Sequence, residues 1–389
     1  MRKFLFIISA ILITSSVQSQ TDSNKESVSF DKILEKFQET KGWNLLAGEI
    51  TDSVSKSCLY KTKEFSVSIS EKPINLEIDT IVISNPYYTD DFDDWDDNYI
   101  NFPKSFSTIY KDNLISLFDN GKFVCHNLKD NSRNEELENN LNAKRFKYHW
   151  VVDGKLFART KSILFSNLYR WNGQNWENSD IKIPVKNQPI LFSDENYIIY
   201  RECDGEFGGT IFFYNRQSKN TFYTESTCAN TVWKENGQYL ILSHLGHMQG
   251  TSEIKKIDNP TRLAKASRNQ LRNSQGDLGY QDESNAFSNE LELYGIQFFS
   301  TFKLEDRRLY LVNLNENTFL AEMDGKEIKI VNPLLNNDKY THDPITKTYG
   351  DYKLINMDFY HTAKKREVTL MIIKDGKVTL LDWNENHSS

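Results

Sequence analysis

An excess of basic charge is the first thing this chain lacks. Lys and Arg number 47 against 54 Asp and Glu, a net charge of −7. A surface that neutralises a row of phosphates needs the opposite balance, so general nucleic-acid binding is excluded. Long apolar runs are missing as well. After residue 13 no stretch approaches the roughly 18 uninterrupted apolar residues of a membrane helix, so no transmembrane segment is expected in the mature chain. The familiar catalytic strings are absent: no G-x-S-x-G, no H-E-x-x-H, no Walker A and no G-x-G-x-x-G. No cofactor is expected, but an enzyme is not excluded, because a site can be assembled from separate segments. Glycine (17) and proline (8) are scarce in 389 residues, whereas asparagine, which tolerates left-handed backbone, occurs 38 times.

What is present begins with a leader. Arg2 and Lys3 precede an apolar run at 4–13 and a short polar stretch at 14–19, the layout of a cleaved secretory signal peptide. Val17 and Ser19 fit the −3 and −1 positions of a peptidase site, which places cleavage before Gln20. No Cys follows the apolar run, so a lipid anchor is not expected. Loss of residues 1–19 removes two cations and no acid, which takes the charge from −7 to −9. The Asn, Lys and Ile bias points to an AT-rich bacterial genome, and with the leader to a periplasmic or extracellular protein.

Four cysteines (58, 125, 203 and 228) lie in the mature part. In an oxidising compartment an even count suggests two disulfides, with three possible pairings. Zinc would want a C-x-x-C spacing that the chain does not have. Cys203–Cys228, the closest pair, is the expected bridge. It carries a geometric condition. Residues 197–201, 210–214 and 221–225 read as consecutive antiparallel strands, so the flanking two lie roughly 9.6 Å apart. A disulfide needs Cα atoms within about 7 Å, so both cysteines should lie beyond the end of the middle strand.

One pattern recurs: an apolar run, then Asp or Asn, Gly, and Lys or Gln, then a second apolar run. It occurs at Asn120-Gly121, Asp153-Gly154, Asn172-Gly173, Asn236-Gly237, Asp324-Gly325 and Asp375-Gly376. These dipeptides are preferred centres of type I′ hairpin turns. Strand signals recur every ten to twelve residues from Ile50 onward, about two dozen in all. They read as successive antiparallel hairpins, without the alternating helices of a parallel sheet. Runs such as Ile211-Phe212-Phe213-Tyr214 and Leu370-Met371-Ile372-Ile373 are apolar on both faces, which suits blades packed face to face around an axis. The expectation is an all-β propeller of about six blades, with five or seven as alternatives. These hairpins, and segments such as 168–176 with Trp171 and Trp176, resemble exported bacterial β-propeller proteins. No repeat carries a complete WD40 or kelch signature, so the resemblance implies architecture alone. The expected organisation is a signal peptide at 1–19, a lead and helix at 20–42, and a single propeller at 43–389 with an insertion at 259–292. Helices are expected at 30–40, capped by Ser29, at 134–144, and at 261–273, where Arg262, Lys265, Arg268 and Arg272 form a solvated basic face.

Three clusters carry chemistry. Asp90 to Asp97 holds six carboxylates in eight residues. Asp94, Asp96 and Asn98 match the first ligand positions of a calcium loop, but Tyr99 replaces the required Gly and Ser105 the bidentate Glu. No metal is therefore expected, and Asp91, Asp93, Asp94 and Asp96 are the residues a calcium reading would use. Glu202, Asp204 and Glu206 share one face if extended, and clustered carboxylates can divide acid and base roles. His244 and His247 follow the strand ending at Ser243 and can titrate near neutral pH. The expected function is an exported, non-catalytic protein that binds a protein or a glycan through loops at one end. The alternative is a carbohydrate-active hydrolase or lyase using Glu202, Asp204 or Glu206 with His244 or His247. That alternative requires these groups to converge in a pocket.

Overall fold

Two-residue turns with both residues in the left-handed region set the geometry. Asp153 (φ 51°) and Gly154 (68°), Asn236 (50°) and Gly237 (81°), and Asp375 (49°) and Gly376 (76°) form such turns. Lys111-Asp112 and Asn315-Glu316 do the same without glycine. At Asp324-Gly325 the turn is displaced by one residue: Asp324 pairs with Glu327, so Gly325 and Lys326 make the corner.

In a computed structural model, the structure describes residues 29–39, 43–44, 48–49, 55–83, 86–87, 106–118, 120–160, 167–247, 250–273, 276–334, 341–357 and 370–383. The expected leader at 1–19 and the acidic run at 90–97, with Asp91, Asp93, Asp94 and Asp96, lie outside the described residues.

The hairpins assemble into six antiparallel blades. Blade 1 holds Thr108–Tyr110, Asn113–Leu117 and Phe123–Asn127. Blade 2 holds Tyr148–Val152, Lys155–Arg159, Leu168–Trp171 and Trp176–Asn178. Blade 3 holds Ile190–Ser193, Tyr197–Cys203, Gly209–Asn215 and Thr221–Glu225, with Ala264–Lys265 on its edge. Blade 4 holds Ala229–Glu235, Gln238–Leu245, Thr251–Ile257 and Ser288–Tyr294. Blade 5 holds Gln297–Leu304, Arg307–Leu314, Asn317–Asp324 and Glu327–Asn332. Blade 6 holds Ile345–Tyr349, Tyr352–Asn356, Leu370–Lys374 and Lys377–Asp382. The first strand of each blade is innermost, and those of blades 3, 4, 5 and 6 touch one another around the axis.

Six apolar cores lie between consecutive blades, and the sixth closes the ring. There Ile109, Leu114 and Val124 of blade 1 meet Leu354, Leu370 and Ile372 of blade 6. Polar seams run beside these cores. Asn356 accepts from Ser107 N at 2.7 Å and returns its own amide to Ser107 O at 3.1 Å. Asn230 donates to Phe298 O at 2.8 Å, and Thr346 donates to Ser300 at 2.7 Å. These buried polar groups are thereby matched by partners in the neighbouring blade.

The N-terminal part departs from the antiparallel expectation. Ser66–Ile69 and Glu77–Val82 are parallel strands, one on the outer edge of blade 5 and one on that of blade 6. Their pairings skip about 260 and 300 residues of chain, so no local turn announces them. The expected helix is present as Phe30–Glu39, and its Ile33 and Phe37 fill the core between blades 4 and 5. Blade 1 has three strands, and its outer edge is covered by the helix Glu135–Leu141. Asn142 supplies what a fourth strand would, accepting from Phe123 N at 2.7 Å and donating to Phe123 O at 3.0 Å.

The insertion differs from its expected form. It lies within blade 4, between the third and fourth strands, and docks on the outer edge of blade 3. The expected helix over 261–273 is a single turn at Pro260–Arg262, a short strand, and a five-residue helix Arg268–Arg272 with a Ser267/Gln270 capping box. Pairing of Ala264 and Lys265 with Tyr223 and Phe222 overrides the weak helical pattern.

Cys203 and Cys228 are bonded, with Cα atoms 4.6 Å apart. Cys203 stands level with the end of the middle strand, opposite Gly209, and not beyond it. The bond closes because Gly209 has no side chain: a Cβ there would lie 2.3 Å from Ser226 O and 2.9 Å from Cys228 N. The second expected disulfide is absent, since Cys58 and Cys125 are free and Cys125 is sealed in the core between blades 1 and 2. Non-reducing peptide mapping should recover Cys203 linked to Cys228. An alkylating reagent should modify Cys58 in the native protein and reach Cys125 only on unfolding. Gly209→Ala should lower stability by about 2–3 kcal/mol in a urea titration. An unchanged midpoint would mean that the crossing strands have room to part.

Candidate functional site

Each blade passes the chain to the next at one end of the ring, the crossover end. The turns after the inner strands crowd the other, hairpin end. At the hairpin end two cavities adjoin over the axis. One, of about 410 Å³, is walled by blades 3 to 6 and includes Trp233, Lys303, Arg308 and Lys353. The second, of about 520 Å³, is walled mainly by blades 1, 2 and 6 and includes Lys111, Asp153, Tyr352 and Lys374. Ser193, Lys347 and Thr348 line both, so the two form one depression.

Lys347 stands at its floor. It also lines a void of about 30 Å³ on the crossover side. Its ammonium crosses the axis to donate to Val151 O in blade 2 at 2.8 Å. Burial pushes this amine down to about 7, opposed by the nearby Asp153. Asp153 is itself clasped by both arms of Arg216 at 2.8 Å, and Asp112 by Lys129 at 3.1 Å, so these two carboxylates are neutralised by cations that do not line the cavity. Arg308 lies over the Trp233 ring, 4.6 Å from its centroid, and Glu235 approaches Lys303 at 2.8 Å and Arg308 at 3.7 Å. No local sequence signal marks this site. Its cations come from different blades.

The residues singled out from sequence sit at the crossover end, on the other side of the ring. Glu206 and His247 meet as a pair at 2.5 Å, both about half exposed on the rim. Glu202 accepts from Gln188 at 2.6 Å, and Asp204 opens the turn Gly205–Phe207. His244 is placed apart from them, in the interior against Phe299, with Asn230 at 3.3 Å. Burial, then the charges of Arg201 and His342, hold its imidazole down at about 3. Arg201 reaches from blade 3 to Asp343 at the entry to blade 6. Loop 204–209 is held firmly: the disulfide ties its start, Gly279 N donates to Thr210 at 2.7 Å, and the Tyr280 ring lies over Gly208. Among the described residues no group of three or more His, Cys, Asp or Glu is arranged to hold a metal ion, and no helix is long and apolar enough to cross a membrane.

No family model and no curated protein matches the chain. Among solved structures it is similar to the tricorn protease, at 15% identity and TM-score 0.42 over 73% of this chain, and it spans only 26% of that protein. It is similar to the β-propeller domain of the Trilobed protease from Pyrococcus furiosus, at 14% identity and TM-score 0.36, covering 72% of this chain and 84% of that one. BamB from Moraxella catarrhalis is 7% identical, with TM-score 0.32 over 67% of this chain and 70% of its own.

Three of the described histidines are buried and neutral. His126 and His149 are pushed down to about 4 by burial, and His244 to about 3. The unfolded chain binds these protons near pH 6.5. Their contribution to stability is therefore complete above about pH 6.5 and is lost progressively as the pH falls toward 4. His126, whose ring nitrogens have no partner among the described residues, packs against Trp383. His126→Phe should flatten the loss of stability between pH 6.5 and 4 by about 1.4 kcal/mol per pH unit, read by urea titration at several pH values. An unchanged slope would show that this ring is not held neutral.

Proposed function

We propose that this is an exported, non-catalytic binding protein that takes a protein or glycan ligand in the depression at the hairpin end of the axis. One observation carries the reading: two cavities of about 410 and 520 Å³ share a wall at Ser193, Lys347 and Thr348, in the concave centre of a rigid ring. Export is supported by the leader pattern at 1–19 and by the Cys203–Cys228 bond, which belongs in an oxidising compartment. A second reading, a carbohydrate-active hydrolase or lyase, is favoured only by the Glu206–His247 pair. That pair is open to solvent on the rim, and His244 is not beside it.

The discriminating variant is Thr348→Trp. Thr348 is exposed and lines both cavities, so an indole there obstructs the depression at little structural cost. Ligands found on a glycan array or by cross-linking should lose at least tenfold in affinity, with an unchanged melting temperature, and wild-type protein should return the ligand intact by mass spectrometry. Retained binding moves the ligand to another surface. A cleaved ligand, with cleavage abolished by Glu206→Gln, installs the enzyme reading instead.

A further inference from the structure

Resting on that reading, we propose that the ligand of the axial depression is a carboxylated oligosaccharide, held by cations that are stationed on aromatic rings and so keep their charge undischarged. Several cations on this acidic chain are matched by carboxylates: Lys329 by Asp324 at 2.9 Å and Glu327 at 3.3 Å, and Lys377 by Asp79 at 2.6 Å and Glu77 at 3.2 Å. Around the depression cations lie against ring faces, as Lys144 and Lys147 also do elsewhere. Lys111 lies 5.4 Å from the Tyr110 centroid, Lys347 5.5 Å from Tyr349, Lys374 4.1 Å from Tyr352 and Arg308 4.6 Å from Trp233. A ring face fixes a cation through its quadrupole but carries no net charge. The cation is positioned, and its field still points into the cavity.

The local acids offset that field only in part. Asp112 and Asp153 are engaged by Lys129 and Arg216 from outside the cavity, and Glu235 serves Lys303 and Arg308 together. Asp351 is the other carboxylate in the lining. Against it stand Lys111 and Lys374 in one cavity and Lys353 in the other.

The remaining lining selects the kind of anion. A peptide is usually recognised by apolar pockets for its side chains. Here Leu191 and Val232 spend their side chains in the core between blades 3 and 4, and Phe302 in that between blades 5 and 6. Hydroxyls, Ser193 and Thr348 among them, cations and aromatic faces such as Trp233 make up the wall. Such a surface matches a hydroxylated chain that bears carboxylates. The concave shape suits a thin oligomer over a folded protein surface.

The test is calorimetric titration of the intact mature protein with three probes: an oligogalacturonate of about six units, a neutral malto-oligosaccharide of equal length, and a hexaglutamate peptide. The uronate should bind, and the neutral sugar and the peptide should each bind at least tenfold more weakly. Raising NaCl from about 0.05 to 0.5 M should weaken the uronate at least tenfold. The double variant Lys111→Gln/Lys374→Gln should lose about tenfold with an unchanged melting temperature, and Thr348→Trp should abolish binding. Equal binding of the neutral sugar, blocked by Thr348→Trp, overturns the anionic assignment and leaves the site reading intact. Hexaglutamate binding as tightly as the uronate overturns the glycan assignment in favour of an acidic peptide. Uronate binding that survives Thr348→Trp overturns the location, and no uronate binding at low salt overturns the proposal outright.

Discussion

Apolar burial in this protein lies between blades and not within them, and every other feature answers to that constraint. A single twisted sheet has two faces to cover and no interior of its own. Strands such as Gly209–Asn215 are apolar on both faces because each face meets a different neighbour: Ile211 and Phe213 serve blade 4, and Phe212 serves blade 2. No blade can leave without stripping two others, so the ring is cooperative by construction. The price of that arrangement falls at the axis, where inner strands from several blades meet and their polar groups must be satisfied across the gap. The Ser107–Asn356 and Asn230–Phe298 seams meet that demand on the crossover side.

The two ends of the ring answer the same demand differently. At the crossover end buried groups are matched closely: His244 beside Asn230, Arg201 with Asp343, and Cys203 bonded to Cys228. At the hairpin end the strands diverge, and cations rest on rings around an open depression. Tight packing at one end supports looseness at the other, the usual arrangement of a rigid scaffold that carries a binding surface.

How much of this was legible follows from how local each signal is. Turns such as Asp153-Gly154 and Asn236-Gly237 are written in two adjacent residues, and the hairpin register follows from them. Lys111-Asp112 makes the same turn with ordinary residues and left no mark in the sequence. The disulfide was readable because Cys203 and Cys228 are the closest pair in the sequence, but the condition that both lie beyond the middle strand was not met, and Gly209 makes the room instead. The parallel strands Ser66–Ile69 and Glu77–Val82 were not readable as such, since an alternating strand looks the same whichever way its partner runs. The helix expected over 261–273 lost to strand pairing on blade 3. The depression was invisible for a related reason. Lys303, Lys347 and Lys374 are unremarkable lysines until ring closure brings them to one end, whereas the adjacent Glu202, Asp204 and Glu206 drew attention by proximity in sequence alone.

The parallel strand Glu77–Val82 has a consequence for biogenesis. Its partner, Lys377–Asp382, is made some 300 residues later. A chain that emerges amino-terminus first must keep this strand unpaired while five blades are translated behind it. The same delay holds for Ser66–Ile69, which waits for Glu327–Asn332. Until then each segment carries an unpaired β-edge, and such edges recruit strands from neighbouring chains. The final fold therefore depends on the nascent amino-terminal region being shielded until the carboxyl-terminal blades arrive, and crowding of partly made copies is the step at which this architecture is most exposed to aggregation.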